Sequence, residues 1–523
     1  MDYLLGLCIG TSSTKALITN IEGKIIASSF LEYQIDSPFP GWTEQNPNLW
    51  LESSIKVIRN ILNMSKVNPK DIISLGISGQ MHTTVFLDEN NNVIRPAPLW
   101  NDQRTFNECN YLLNNIGLKK ILELTSNKPI TSFSLPKILW LRNNEIDNFK
   151  RLRKFCLSKD YVKLGLSGKL STDPSDASGT LCYDVQNYKW SEDLFHMLEL
   201  DLSILPEVKP SSEFSASLSI EASRKTGLQQ GLPILTGTAD TAGEMLGNGI
   251  SKDGDCLLIL GTGGVLLNYH SKYYENDGNL DMFCYPDGKY YSLGVTLSSS
   301  ASLIWALNKI GFDFTQIEKK VDRDIKYLDF KNYVEKDKFS ILEKQVKEIL
   351  PGANGLIFLP YLTGERAPYS DPDARGVLFG LNMNHGKRHI LRAVMEGVAF
   401  SQRDCYEIVK NKGFDSKSIV ISGGGAKSEL WCQIYSDVFN SKIIKMSSEE
   451  GPSLGMCILG AVSSGIYDSI EKASQKFLKL ANIFNPINKN VSLYNDLYEV
   501  YKKLYPSLKY SFSEISNFSK KYF

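Results

Sequence analysis

One short pattern occurs twice in this chain, and it constrains the fold more than any other feature. Tyr3 to Ile9 and Lys15 to Asn20 are β-rich runs joined through GTSS (Gly10 to Ser13); Cys256 to Leu260 and Val265 to Tyr269 are joined in the same way through GTGG (Gly261 to Gly264). Apolar runs on either side of a Gly-containing turn predict a hairpin. Two such hairpins far apart in one chain predict two lobes of related fold. Around them, short β-rich runs alternate with longer amphipathic ones, which is the pattern of α/β architecture. Gly23 to Tyr33 continues the first meander. Asn46 is a helix N-cap by residue type, Pro47 suits the first helical position, and Leu51, Ile55, Ile58 and Leu62 fall on one face. Ile72 to Ile77 leads into SGQMH (Ser78 to His82). The break between lobes is expected near Gly247 to Asp255, a Gly, Lys and Asp-rich stretch, giving lobes of 1–246 and 247–523 and, at the end of the second, a helical extension. Lys319 to Leu350 is charged and helix-prone and reads as a solvated surface element.

Composition narrows the class. The 523 residues carry 58 basic and 58 acidic side chains, a formal net charge of zero. Binding held mainly by phosphate neutralisation on nucleic acid needs a basic surplus, so that partner is not expected. Nine cysteines stand singly with no CxxC, as reduced thiols in a cytoplasmic protein do. The start, MDYLLGLCIG, lacks the basic cluster of a secretory signal. The strongly apolar run Cys256 to Leu267 is too short to span a bilayer, so no membrane partner is expected.

Four glycine-containing loops could cradle phosphate with backbone N–H groups: Gly10 to Ser13, Gly261 to Gly264, Gly423 to Gly425 and Gly451 to Gly455. Each could equally be a tight turn. No Gly-Lys pair is followed by Ser or Thr, so the P-loop signature is absent, and no GxGxxG opens a first βαβ unit. His82 lies at the end of a strand, where α/β folds place ligands, although a lone His is more often structural. His385 and His389 have helical spacing but no third ligand between them, which argues against zinc. Asp240 in LPILTGTADTAGEMLG is either a helix N-cap or a general base.

Two longer segments identify the chain as similar to the FGGY carbohydrate kinases. Ser132 to Asn144, SFSLPKILWLRNN, resembles that family's first signature, including Ser134, Lys137 and Trp140. Gly376 to Glu396, GVLFGLNMNHGKRHILRAVME, resembles the second, including Gly380, His389, Ala393 and Glu396. The resemblance runs from about Leu4 to Gly465. GWTEQNP (Gly41 to Pro47), SGQMH, LWNDQRT (Leu99 to Thr105), SKDYVKLGLSG (Ser158 to Gly168) and YLTGERAP (Tyr361 to Pro368) look most like the members acting on D-xylulose.

The resemblance implies an α/β fold of two actin-like, hexokinase-like (ribonuclease H-like) lobes, each with a five-stranded mixed sheet, and an active-site cleft between them. It implies transfer of the γ-phosphoryl group of ATP, with Mg²⁺, to the terminal hydroxyl of D-xylulose or a related ketose. Asp240 matches the family's general base. Gln80, Met81, His82, Trp100, Asn101, Asp102 and Thr241 match sugar-side positions. Thr11, Ser12, Ser13, Lys15, Gly261, Thr262, Gly263, Ser300, Gly424, Gly425 and Ala426 match ATP-side positions. The family is often dimeric, so a homodimer is compatible. Asp240 and the position of Cys8 match the metal side, but the family carries Asp where this chain has Cys8, and a thiol suits a hard cation poorly. Thr241 replaces a common Asn, Gly263 a usual Ser, and Tyr285 a frequent His. The alternatives are therefore a kinase of another ketose, polyol or sugar acid, or a catalytically impaired sugar or nucleotide sensor.

Overall fold

The computed structural model describes residues 2–310, 343 and 346–522. Of the charged stretch Lys319 to Leu350, residues 319–342, 344 and 345 lie outside the described residues. The chain forms two compact units: Met1–Asp253 with Tyr269–Ser292 and Ser448–Lys479, and Gly254–Asn268 with Leu293–Ser447 and Leu480–Phe523. The units interleave along the chain, whereas the sequence reading draws one break near Gly247 to Asp255.

In the first unit, strands β1 (Tyr3–Ile9), β2 (Ser13–Asn20), β3 (Ile25–Glu32), β4 (Ile72–Gly79), β5 (Phe214–Ser217), β6 (Pro233–Leu235) and β7 (Thr238–Ala239) form one mixed sheet. Its order is β5-β6-β4-β1-β2-β3, with β7 also pairing β4. The sheet is seven-stranded, which corrects the expected five. The additions are β5, antiparallel on the edge of β6, and β7, which runs on along β4 after a break at Gly237. There φ is +86° and a Cβ would lie 2.0 Å from the Ile77 carbonyl oxygen, so only glycine fits the break.

Helices cover both faces of this sheet. Leu5, Leu7 and Ile9 alternate onto one face and pack in one core with α1 (Pro47–Ser65). Asn46 caps α1, its side chain accepting from the Asn48 N–H. The packed face is rotated from the expected one: Trp50, Val57, Ile58 and Ile61 are fully buried, while Leu51, Ile55 and Leu62 are only partly so. On the other face α2 (Asp240–Gly247) and α3 (Gly451–Ser463) lie close together, α3 packing Leu454, Cys457 and Ile458 against Leu4 and Leu17. Small residues permit this approach. A Cβ at Gly6 would lie 1.9 Å from the Ser453 carbonyl oxygen, at Gly247 2.0 Å from that of Gly451, and at Gly455 2.1 Å from that of Gly243.

A second sheet, most of it in the second unit, repeats the scheme and is again seven-stranded where five are expected. From an edge strand Asp281–Cys284 it continues through β10 (Tyr290–Thr296), β9 (Gly264–His270), β8 (Asp255–Leu260), β11 (Ser418–Ser422), β12 (Lys442–Met446) and β13 (Leu480–Phe484), in that order. As β4 runs parallel to β1 beside the β1/β2 hairpin, β11 runs parallel to β8 beside the β8/β9 hairpin. The helical extension is α4 (Asn488–Tyr522). Tyr494, Tyr498, Tyr501 and Tyr505, spaced by three and four, face inward. Three of their hydroxyls donate to Glu396, Asp404 and Asp371 at 2.6, 2.6 and 2.8 Å. Among the described residues no helix is long and apolar enough to cross a membrane.

The glycine seam makes a direct prediction. Gly455→Ala forces a methyl group into backbone and should lower stability by about 1 to 3 kcal/mol, read as a shift of the urea midpoint. An unchanged midpoint would mean that α3 moves away without cost.

Candidate active site

Pairing of β7 with β4 sets Thr238 opposite Ser78 and Ala239 opposite Gly79, so Asp240, the first residue of α2, emerges beside Gln80 and Met81. Its Oδ1 accepts from the Thr241 N–H at 2.9 Å and from the Met81 N–H at 3.4 Å. Burial raises its carboxyl to about 6, and those N–H donors limit the rise. A carboxyl poised there is mostly ionised at neutral pH yet basic enough to take a proton.

His82 stands on the other side of Met81 in a left-handed conformation, φ +67°. Its Nδ1 lies 2.6 Å from the Gly179 carbonyl oxygen, so a neutral ring carries its proton there and presents Nε2 as an acceptor. Phe133 and Phe283 flank the ring, and the buried Lys137 ammonium donates to the His82 carbonyl at 2.8 Å. Gln80 is fully buried: its N–H donates to the Ile9 carbonyl, and its carbonyl accepts from the Ser158 hydroxyl. Trp100 Nε1 donates to Thr11 Oγ1 at 2.9 Å, tying the WND segment to the Gly10 to Ser13 turn. Asn101 accepts from the Thr43 hydroxyl. Asp102 is buried and engaged by Arg104 and by the Thr43 N–H.

Cys8 shares the face of Leu4 and Gly6, by the two-residue period of a strand, and pairs with Lys15 on β2 and Ser78 on β4. Burial pushes its thiol up to about 12, with Asp240 and Glu244 adding to the rise and the Ser78 hydrogen bond opposing it. A protonated thiol does not fit a hard, oxygen-preferring cation. No group of three His, Cys, Asp or Glu side chains among the described residues is placed to hold a metal ion. Lys15 is not a bare phosphate ligand either: its ammonium lies 2.7 Å from Glu450 at the N-terminus of α3.

In the second unit the GTGG turn, Ser300 and the Gly424 to Ala426 segment, expected on the ATP side, come together. The GTGG turn connects β8 to β9 and accepts at its Gly261 and Thr262 carbonyls from the N–H groups of Ser300, Ser299 and Ala301, where helix Ser300–Lys309 begins. Gly425 packs on Leu260 and on the Ser300 hydroxyl, 2.8 and 3.0 Å from a would-be Cβ, while Gly424 has open space. A Cβ at Gly263 would lie 2.7 Å from the Thr296 carbonyl oxygen, and one at Gly264 would overlap Gln402. Glycine at 263 thus fits a crowded turn.

The fourth glycine segment has a different place. Gly451 to Gly455 is the first turn of α3, and close contact with α2 accounts for its glycines. Reasoning from sequence also missed Glu450 and Tyr291. Glu450 could have been suspected from an acidic pair beside a helix start; Tyr291, whose hydroxyl is 2.8 Å from Thr241 Oγ1, carries no local signal.

Residues 3–247 match the FGGY family of carbohydrate kinases, N-terminal domain, and residues 256–464 match the C-terminal domain of the same family. Xylulose kinase of Staphylococcus xylosus is 36% identical over 508 residues, covering 97% of this chain and 100% of its own length. Xylulose kinase of Bacillus subtilis (strain 168) is 34% identical over 524 residues, covering 99% and 100%. The structure of ligand-bound xylulose kinase from Lactobacillus acidophilus shares the fold, with a TM-score of 0.88 at 24% identity, over 98% of this chain and 100% of that one.

The raised Asp240 carboxyl has a thermodynamic signature. Its folded value, about 6 against 3.8, means that folding is penalised by its ionisation; the penalty is absent below the unfolded value and complete above the folded one. Asp240→Asn should therefore match wild type in stability below pH 4 and exceed it by about 3 kcal/mol well above pH 6. Equal stability across that range would show an ordinary carboxyl.

Proposed function

Since the chain belongs to the FGGY family of carbohydrate kinases, which use ATP, we propose that it phosphorylates D-xylulose at its terminal hydroxyl. The observation that carries the reading is Asp240, raised to about 6 and held by two backbone N–H groups beside SGQMH. The sugar-side segments and the two relatives named xylulose kinase favour this ketose.

In this reading the Asp240 carboxylate accepts the proton of the sugar hydroxyl as its oxygen bonds to the γ-phosphorus. The bond from that phosphorus to the β-phosphate bridging oxygen breaks, and ADP leaves with the electron pair. The Met81 and Thr241 N–H groups orient the carboxylate, and the His82 imidazole accepts from a sugar hydroxyl. Backbone N–H groups of the Gly261 to Gly264 turn face phosphate oxygens, while Gly424, Gly425 and Ala426 take the adenosine. Phosphoryl transfer rests mainly on such positioning and charge stabilisation. Lys15 reaches a phosphate by exchanging Glu450 for it. The Mg²⁺ expected with the nucleotide finds no carboxylate at position 8.

The protonated Cys8 favours a second reading, an impaired sensor that binds sugar with negligible turnover. Sugar-dependent ADP release, measured over pentuloses, hexuloses, polyols and gluconate on wild type, Cys8→Asp and Asp240→Ala, separates the two. The kinase reading expects D-xylulose to rank first by kcat/KM and Asp240→Ala to lose about 10²- to 10⁴-fold. Another sugar ranking first would replace the substrate. No wild-type turnover, with activity appearing in Cys8→Asp, would establish the sensor.

A further inference from the structure

We infer that Tyr291 is a positioning residue for sugar recognition: its hydroxyl donates to Thr241 Oγ1, leaving the Thr241 hydroxyl as the donor that meets a hydroxyl oxygen of the bound ketose. The inference deepens the reading of Asp240 and SGQMH as the sugar side and rests on it. Thr241 Oγ1 lies 2.8 Å from Tyr291 Oη and 3.3 Å from Met81 Sδ. A hydroxyl has one hydrogen and two lone pairs. Among the described residues Thr241 Oγ1 is the hydrogen-bond partner of the fully buried Tyr291 hydroxyl. A buried hydroxyl hydrogen without an acceptor is costly, so the tyrosine donates the shorter bond and the threonine hydrogen turns to sulfur, which can only accept.

Two features make this arrangement suited to binding. Thioether sulfur is a weak acceptor, so a sugar oxygen replaces it at little cost. A hydroxyl that already accepts a hydrogen bond is a stronger donor through mutual polarisation. The Thr241 hydroxyl also borders the reacting carboxylate, because its own N–H donates to Asp240 Oδ1. Tyr291 is fully buried whereas Thr241 is partly exposed, so the tyrosine acts through the threonine and not by touching the sugar. Phe283 fixes its place, with ring centroids 5.4 Å from Tyr291 and 5.9 Å from His82. One aromatic ring thus braces His82 and the partner of Thr241. Where an Asn would present an amide to the ligand, this chain presents a polarised hydroxyl whose partner lies elsewhere in the sequence.

A double-mutant cycle with D-xylulose tests this, using Tyr291→Phe, Thr241→Val, the double variant and the conservative Thr241→Ser. Tyr291→Phe should raise KM for D-xylulose about five- to tenfold, the worth of one polarised hydrogen bond, with kcat and the KM for ATP changed less than about twofold. It should add nothing to Thr241→Val and keep its effect in Thr241→Ser. An unchanged KM for D-xylulose, full additivity in the cycle, or equal losses in kcat and the KM for ATP would each overturn the inference. Absence of sugar-dependent ADP release from wild type would instead sink the kinase reading, and D-xylulose affinities of the same proteins by calorimetry would then decide the cycle.

Discussion

Close backbone contact between α3, β1 and α2 is the constraint on which the rest of the first unit depends. The hydrogen-bonded core of a sheet can take a helix at this distance only where Cβ atoms are missing, and Gly6, Gly243, Gly247, Gly451 and Gly455 remove them. The contact places Glu450 against Lys15 and seats α2 so that Asp240 opens beside Met81. Dispersion and apolar burial on the α3 face, through Leu4, Leu17, Leu454 and Ile458, supply the attraction. A glycine in a helix costs about 1 kcal/mol against alanine, and here that cost is offset by the helix packing it permits.

The consequence for chemistry is a carboxylate that is kept basic by its surroundings and aimed by the main chain. Asp240 owes its raised value to burial and its orientation to two N–H groups, neither of which depends on a distant side chain. The thiol at position 8 is held neutral partly by that same carboxylate. Replacing an acid there removes a like charge from the neighbourhood of Asp240, so the substitution bears on the base as well as on any cation accompanying the nucleotide. Two of the polar groups proposed for the sugar side, His82 and Thr241, are fixed by partners behind them, Gly179 and Tyr291.

Legibility in the sequence followed the range of the interactions. Both hairpins, the Asn46 cap and the strand leading into SGQMH are local, and they stand where the residue pattern puts them. The buried face of α1 was misjudged because counting aliphatic residues passed over Trp50, whose indole lies fully buried and donates to Gln45. Gly451 to Gly455 read as a loop because helix propensity is a weak prior that tertiary packing overrides. The first sheet reads as too small because its extra strands are short and bounded by a break, Gly237, that looks like any turn glycine. Tyr291 was invisible because its bond to Thr241 joins a strand to a helix start with nothing in either segment to announce the other.

The proposed role of Asp240 as the group that takes the sugar proton is tested most directly by the pH dependence of kcat/KM for D-xylulose. It predicts a single acid limb in wild type that breaks at about pH 6, the value set by burial of this carboxyl, and loss of that break from the residual rate of Asp240→Asn. A wild-type limb breaking near 4, or a break at 6 that survives in Asp240→Asn, would contradict it.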